Sequence, residues 1–125
     1  VVTMGDGAGI TLPNDSTYGT VKGHSFITYS DETLKTNIQP VQNALEKVKN
    51  LKGVTYDWKN DGTSDIGFIA QDVEKIIPQI VKSNGKEGSY GMNYSRVTAL
   101  LVEGIKEQQA QIEKLKDALA SINKK

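Results

Sequence analysis

The sequence predicts an α+β fold: a small domain of β-hairpin and helices, a short β-rich segment ahead of it, and one long C-terminal helix of the coiled-coil type. Three observations predict it. Residues 1–29 are punctuated by glycine and turn residues and contain no glutamate. The middle of the chain alternates short strand-like runs with short helical ones. From Leu101 to Ile122 the seam positions step by four and three in strict alternation.

Composition bounds the function classes. The chain has 125 residues, 37% of them hydrophobic, enough for roughly one domain. A lone domain of this length buries only about two-thirds of its unfolded surface, which leaves apolar surface for a partner chain. Lysine plus arginine and aspartate plus glutamate balance at 15 each. No net field draws the chain to nucleic acid or to an anionic membrane, and no basic stripe interleaved with aromatics suggests RNA. There are no cysteines and a single histidine, His24, so thiolate chemistry and a multi-histidine metal site are excluded within one chain. No cofactor or metal is expected. No apolar run approaches the ~20 residues of a membrane span, and no signal peptide is visible. The start at Val1 suggests a fragment of something longer.

Three segments follow from the composition: 1–29, 30–94 and 95–125. The first carries turn signals at Gly5–Gly9, Pro13–Asp15 and Gly19 and no helical period, so short strands and turns are expected. In the second, Val41, Leu45, Val48 and Leu51 recur at helical spacing, with Pro40 to open a helix over about 41–50 and Gly53 to close it. Val54–Trp58 alternates like a half-buried strand, Asp61-Gly62 is the strongest turn signal, and Ile66–Ala70 returns as the partner strand. A short helix over 71–77 halted by Pro78, a strand over 79–81, a polar glycine-rich loop and a last strand over 90–94 complete the domain. Trp58 and Phe68 are expected in the core between hairpin and helix.

In the third segment Ser95 is the expected N-cap. Ile105, Ile112 and Leu119 fall at heptad position a, and Leu101, Gln108, Leu115 and Ile122 at d. That is the 3.5-residue period of a coiled coil. The ordinary alternative is an amphipathic helix packed on its own domain, since only about three heptads are present. The narrow stripe and the small domain favour self-association. Gln108 supports it, because a polar residue in the seam lowers stability but fixes register. Mixed Ile and Leu does not choose between dimer and trimer.

Four stretches in order, "SDETLKTNIQPV", "LKGVTYDWK", "IGFIAQDVEKIIPQIV" and "NYSRVTALLVEGIKEQQAQIEKL", carry a family likeness. They resemble the C-terminal intramolecular chaperone domain of phage tailspikes, tail fibres and endosialidases, the peptidase S74 family. A related domain occurs in the myelin regulatory factor group of transcription factors. The likeness covers about 30–119, and its most specific pieces are S-D-x-x-L-K and G-F-I-A-Q-[DE]-V-E. It implies a homotrimer that drives the chains of a β-rich fibre or tailspike into register during assembly in the host cytoplasm, then cuts itself off before the motif serine. By that spacing the cleaved bond is Tyr29–Ser30 and the catalytic dyad is Ser30 and Lys35. Residues 1–29 would be the end of the fibre, 30–94 the chaperone and autoprotease, and 95–125 the trimerising helix along the seam named above. The partners implied are further copies of the chain and the fibre part of the same precursor, with no nucleic acid and no membrane.

The chemistry needs these residue types. A serine hydroxyl requires a base to take its proton. Lysine serves only when neutral, so its ordinary pKa near ~10.4 must fall through desolvation or a nearby positive charge. Burial of Lys35 on assembly is therefore expected, which would delay cutting until the trimer closes. Ser30 would attack the Tyr29 carbonyl in an N-to-O acyl shift, and Gln71 is a candidate oxyanion donor.

The ordinary reading of Ser30 is a helix N-cap followed by carboxylates at the positive end of the dipole. In an ideal helix Lys35 would stand ~140° round from Ser30, and no dyad would form. Asp72 and Glu74 read as a solvated helix start that could help orient Lys35. His24 reads as a surface residue, and "NGKEGSYG" as a loop or an arm gripping the fibre. Two other functions compete with the self-cleaving chaperone: a permanent, non-cleaving trimerisation cap, and a chaperone module within a membrane-tethered transcription factor.

Overall fold

A computed structural model describes residues 9–10, 20–83 and 89–124. The architecture is the expected α+β, with two small two-stranded sheets and one long helix. Packing divides the chain into two units, Val1–Thr36 with Thr55–Asp65 and Asn37–Val54 with Ile66–Lys125. The strands expected within 1–19 fall largely outside the described residues, and residues 20–29 carry no helix or strand. Of the loop or arm expected over 84–91, residues 84–88 also lie outside them, and Tyr90 and Gly91 belong to a strand.

The first sheet is a hairpin of β1 (Val54–Asp57) and β2 (Ser64–Gly67). Its turn forms where Asp61-Gly62 predicts. Gly62 has φ +72°, a conformation that favours a residue with no Cβ. Asp61 Oδ1 accepts from Thr63 N (2.9 Å) and Thr63 Oγ1 (2.7 Å). Trp58 N donates to Thr63 O at 2.9 Å. This tight closure starts the return strand at Ser64, two residues before the expected Ile66. Trp58 is 46% exposed and does not fill the core as expected. Its ring meets Tyr56 edge-on at 5.2 Å, and its Nε1 donates to Asp65 Oδ2 at 3.1 Å. The indole N–H finds its acceptor on the hairpin itself and stays at the surface.

The second unit holds the core. Val73, Ile80, Val81 and Val97 are buried together, with Leu51, Phe68, Ile77 and Met92 packed against them. Helix α1 spans Ala44–Asn50 and α2 spans Ala70–Glu74. The α2 helix begins one residue before the expected 71 and is shorter than expected. Ile77 precedes Pro78 and adopts φ −142°, because a proline ring forces the residue before it out of the helical region. Pro78 then opens a 3-10 turn over Pro78–Ile80, which absorbs two residues of the strand expected at 79–81. Strands β3 (Val81–Ser83) and β4 (Tyr90–Met92) pair antiparallel, with Val81 opposite Met92. Phe68 packs as expected: its ring lies 5.7 Å from that of Tyr94, whose hydroxyl accepts Phe68 N at 2.9 Å.

The long helix α3 spans Val97–Asn123. Ser95 is not its cap. Ser95 lies in a 3-10 turn over Tyr94–Arg96, and its hydroxyl donates to Asn93 Oδ1 at 2.7 Å. Helix α3 packs on α1, and its buried residues are Val97, Leu100 and Gly104, with Val97 in the core cluster. Gly104 permits the approach, since a Cβ there would stand 3.1 Å from Val48 Cγ2.

Helix α1 starts three residues after the expected Val41. Asn43 is left-handed at φ +53° and provides no side-chain cap. The acceptor comes from α3 instead. Glu107 Oε1 accepts Ala44 N at 2.9 Å and Oε2 accepts Leu45 N at 3.0 Å. A carboxylate thus satisfies two of the orphan donors at the start of α1, where the helix dipole also favours negative charge.

Candidate functional site

The stretch singled out by the motif forms a compact turn rather than an α-helix. Asp31 is extended (φ −64°, ψ 132°), Glu32–Leu34 make one 3-10 turn, and Lys35 is extended again (φ −123°, ψ 152°). Asp31 is the cap of this turn, and the N-cap reading of Ser30 is displaced by one residue: Asp31 Oδ1 accepts Thr33 N at 2.8 Å and Thr33 Oγ1 at 2.7 Å. These bonds, the side-chain one first and the backbone one second, hold the Asp31 carboxyl below its usual range, and the nearby charge of Lys35 adds to the effect.

The turn brings the Lys35 side chain back along the chain. Lys35 Nζ donates to Ser30 Oγ at 2.7 Å and to the Ser30 carbonyl oxygen at 3.2 Å. The ~140° separation of an ideal helix does not arise, because the residues at each end of the 3-10 turn are extended. A serine hydroxyl and a lysine amine therefore stand in hydrogen-bond contact directly after the Tyr29–Ser30 peptide. Such a pair can exchange a proton when the amine is neutral. Ser30 and Lys35 are exposed on the single chain, and so are their apolar neighbours Ile27 (92%), Tyr29 (91%) and Leu34 (73%).

Gln71, Asp72 and Glu74 are on α2, in the second unit, and all are exposed. Asp72 pairs with Lys75 at 3.5 Å. His24 is exposed as expected. Among the described residues no cluster of three or more His, Cys, Asp or Glu side chains could hold a metal, and no helix is long and apolar enough to cross a membrane. The seam residues Leu101, Ile105, Gln108, Ile112, Leu115, Leu119 and Ile122 are all exposed on α3. The alternative in which α3 packs on its own domain is half realised. Its N-terminal third does so, through the neighbouring face of Val97, Leu100 and Gly104.

Residues 30–82 match the family model Peptidase_S74, described as chaperone of endosialidase. That stretch of the chain carries a domain of that family. The match opens at Ser30, the residue that Lys35 contacts. Similar proteins are the long tail fiber protein Gp37 of Enterobacteria phage M1, 39% identical over 113 residues, and that of phage Ox2, 40% identical over 96 residues. The Gp37 protein of phage K3 is 35% identical over 100 residues. These alignments cover 82%, 70% and 72% of this chain, but 45%, 38% and 8% of the respective relatives. The chain thus spans less than half of the fibre proteins it matches.

Sequence reasoning missed two residues. Asp31 was read as a charge near a helix dipole and acts as the cap of the turn. Glu107, on α3, caps α1 from 62 and 63 residues away. Asp31 had a signal in Asp-x-Thr, the spacing of a side chain accepting from the backbone two residues on. Glu107 had none.

Proposed function

We propose that this chain is the assembly chaperone of a phage tail fibre, that it acts as a homotrimer joined along α3, and that it releases itself by cutting Tyr29–Ser30. The family match over residues 30–82 and the Gp37 relatives support the chaperone role. The observation that carries the cleavage is the 2.7 Å contact between Lys35 Nζ and Ser30 Oγ.

The step balances within the chain. Neutral Lys35 takes the Ser30 Oγ proton as Oγ bonds to the Tyr29 carbonyl carbon. The carbon–nitrogen bond between Tyr29 and Ser30 breaks, and Lys35 returns the proton to the departing Ser30 amine. The product is an ester between the Tyr29 carboxyl and Oγ. Water opens it, leaving a Tyr29 carboxylate and a free Ser30 N-terminus. Each chain turns over once.

A lysine is a base only when neutral, and desolvation disfavours its charged form. On the single chain Lys35 is exposed, so a neighbouring copy that excludes water from Ile27, Tyr29 and Leu34 would switch the pair on. This links cutting to assembly. The same exposure is what the permanent-cap reading would cite, since an unshielded pair stays inactive.

The test is to express the chain behind its upstream fibre segment and follow the masses of the products. Ser30→Ala and Lys35→Ala should abolish cutting and leave trimers intact. A new N-terminal serine carries a 1,2-amino alcohol, so periodate should convert the wild-type product alone to an aldehyde. A correctly assembled trimer of wild-type chains that stays uncut refutes the cleavage and leaves the permanent cap.

A further inference from the structure

We propose that Asp31 is a positioning residue for the Ser30–Lys35 pair: its carboxylate fixes the tight turn that returns the lysine to the serine. The inference rests on the reading of that pair as the cleavage dyad.

Neither regular backbone would make the pair. An α-helix leaves the two side chains about 140° apart, and an extended chain leaves their Cα atoms about 16 Å apart. The observed path mixes the two, with one 3-10 turn between extended residues. Nothing from a core holds it in place, because Glu32–Leu34 include no buried residue. What closes it is local. Two backbone bonds, Leu34 N to Asp31 O (3.2 Å) and Lys35 N to Glu32 O (3.0 Å), define the turn. A single side-chain atom, Asp31 Oδ1, ties its start by accepting both Thr33 N and Thr33 Oγ1. Isolated 3-10 turns are weak, so without that atom the segment spends more time in conformations where Lys35 points away. Asparagine can make the same two bonds through its amide oxygen, and alanine can make neither.

The experiment uses the chain with its upstream segment and measures the rate at which Ser30 N-termini appear, the trimer fraction, and the nuclear Overhauser contact between the Lys35 and Ser30 side chains. Asp31→Ala should slow cutting roughly five- to thirtyfold, as the loss of a capping side chain would, and weaken the Lys35–Ser30 contact, with the trimer fraction unchanged. Asp31→Asn should restore both to within about threefold of wild type. Thr33→Val removes one donor from the same tie, should slow cutting severalfold, and keeps the test decisive if Asp31→Ala fails to assemble. Wild-type rate and contact in Asp31→Ala or Thr33→Val overturn the proposal. So does an Asp31→Asn variant as slow as Asp31→Ala, which would assign the effect to charge. If the wild type itself never cuts, the cleavage reading fails. The side-chain contact then still decides the role of Asp31: loss in Asp31→Ala with retention in Asp31→Asn supports it, and an unchanged contact refutes it.

Discussion

Replacing Glu107 with alanine should be among the most damaging single changes in α3, although the residue sits amid solvated neighbours. Its two carboxylate oxygens accept Ala44 N and Leu45 N at 2.9 and 3.0 Å. Hydrogen bonds to charged groups contribute about 1.5–3 kcal/mol each in net terms, and losing a helix N-cap acceptor costs about 0.5–2 kcal/mol. Glu107 is only part-buried and the two bonds share one side chain, so they do not add fully. A loss of about 2–3 kcal/mol follows, which for a chain of this size lowers the melting midpoint by roughly 6–15 °C. Glu107→Gln keeps one acceptor and turns an NH2 toward the other donor, so it should lose more than half of the same amount. The assay is denaturant unfolding at one fixed chain concentration, because association itself adds stability. Lys106→Ala, one residue away on the surface, is the control and should stay within about 0.5 kcal/mol of wild type. A Glu107→Ala chain that unfolds together with that control would refute the idea that α1 is capped from α3.

Gly104→Ala should change stability by no more than about 1 kcal/mol: the added Cβ would meet Val48 Cγ2 at 3.1 Å, so Val48 must give by a few tenths of an ångström, while the loss of a mid-helix glycine gains back about 0.5–1 kcal/mol. Gly104→Leu should cost about 1–3 kcal/mol by overpacking α1 against α3, read in the same unfolding assay. Leu100→Ala, at a site 1% exposed, should cost about 2–5 kcal/mol. Ile112→Asp or Leu115→Asp should lower the association state measured by light scattering while leaving the helical content of the monomer in place; unchanged trimers would remove the seam. The Asp31 carboxyl should titrate below the ordinary carboxylate range when followed by NMR, since its Thr33 hydrogen bonds and Lys35 favour the charged form. A depressed folded-state pKa means that its contribution to the turn is present above the ordinary carboxylate value and is lost as pH falls through the depressed one. A midpoint at or above that of an unperturbed aspartate would contradict the turn geometry.

The long helix, the hairpin turn at Asp61-Gly62 and the position of the candidate pair were legible in the sequence because each rests on a local rule: a heptad period, a positive-φ glycine, a motif spacing. The misplacements also have local causes. The β2 strand starts at Ser64 because the turn closes tightly at Thr63, and α2 stops early because Ile77 precedes Pro78. What the sequence hid is non-local. No pattern around Asn43 says that the acceptor for Ala44 and Leu45 lies on another helix, and no periodicity says that Trp58 satisfies its N–H on Asp65 and remains outside. For the pair itself, the five-residue spacing argued against contact under a helical reading. The contact exists because the segment is a single 3-10 turn, capped at Asp31, between extended residues.

The two faces of α3 give the assembly argument its physical content. Val97, Leu100, Gly104 and Glu107 face the chain's own second unit, and beyond Glu107 no residue of the helix is buried in the chain. Ile112, Leu115, Leu119 and Ile122 remain 40–70% exposed along a stripe whose 3.5-residue period suits other helices of the same kind. Fully burying an exposed side chain of this size is worth about 1.5–3 kcal/mol, so in the proposed trimer these four alone would supply a driving force of several kcal/mol per chain. The first turns of α3 are committed to α1, so that force acts through a helix already anchored in the folded second unit. An unfolded second unit would present the stripe without its anchor. In the proposed mechanism, association along α3 therefore selects chains whose chaperone domain has folded, and cutting at Tyr29–Ser30 would follow folding rather than precede it. Chains carrying Leu100→Ala should show the consequence: they should assemble and cut more slowly in proportion to their lost stability, although Leu100 belongs neither to the seam nor to the pair. Cutting at the wild-type rate in a chain shown to be largely unfolded would break that link.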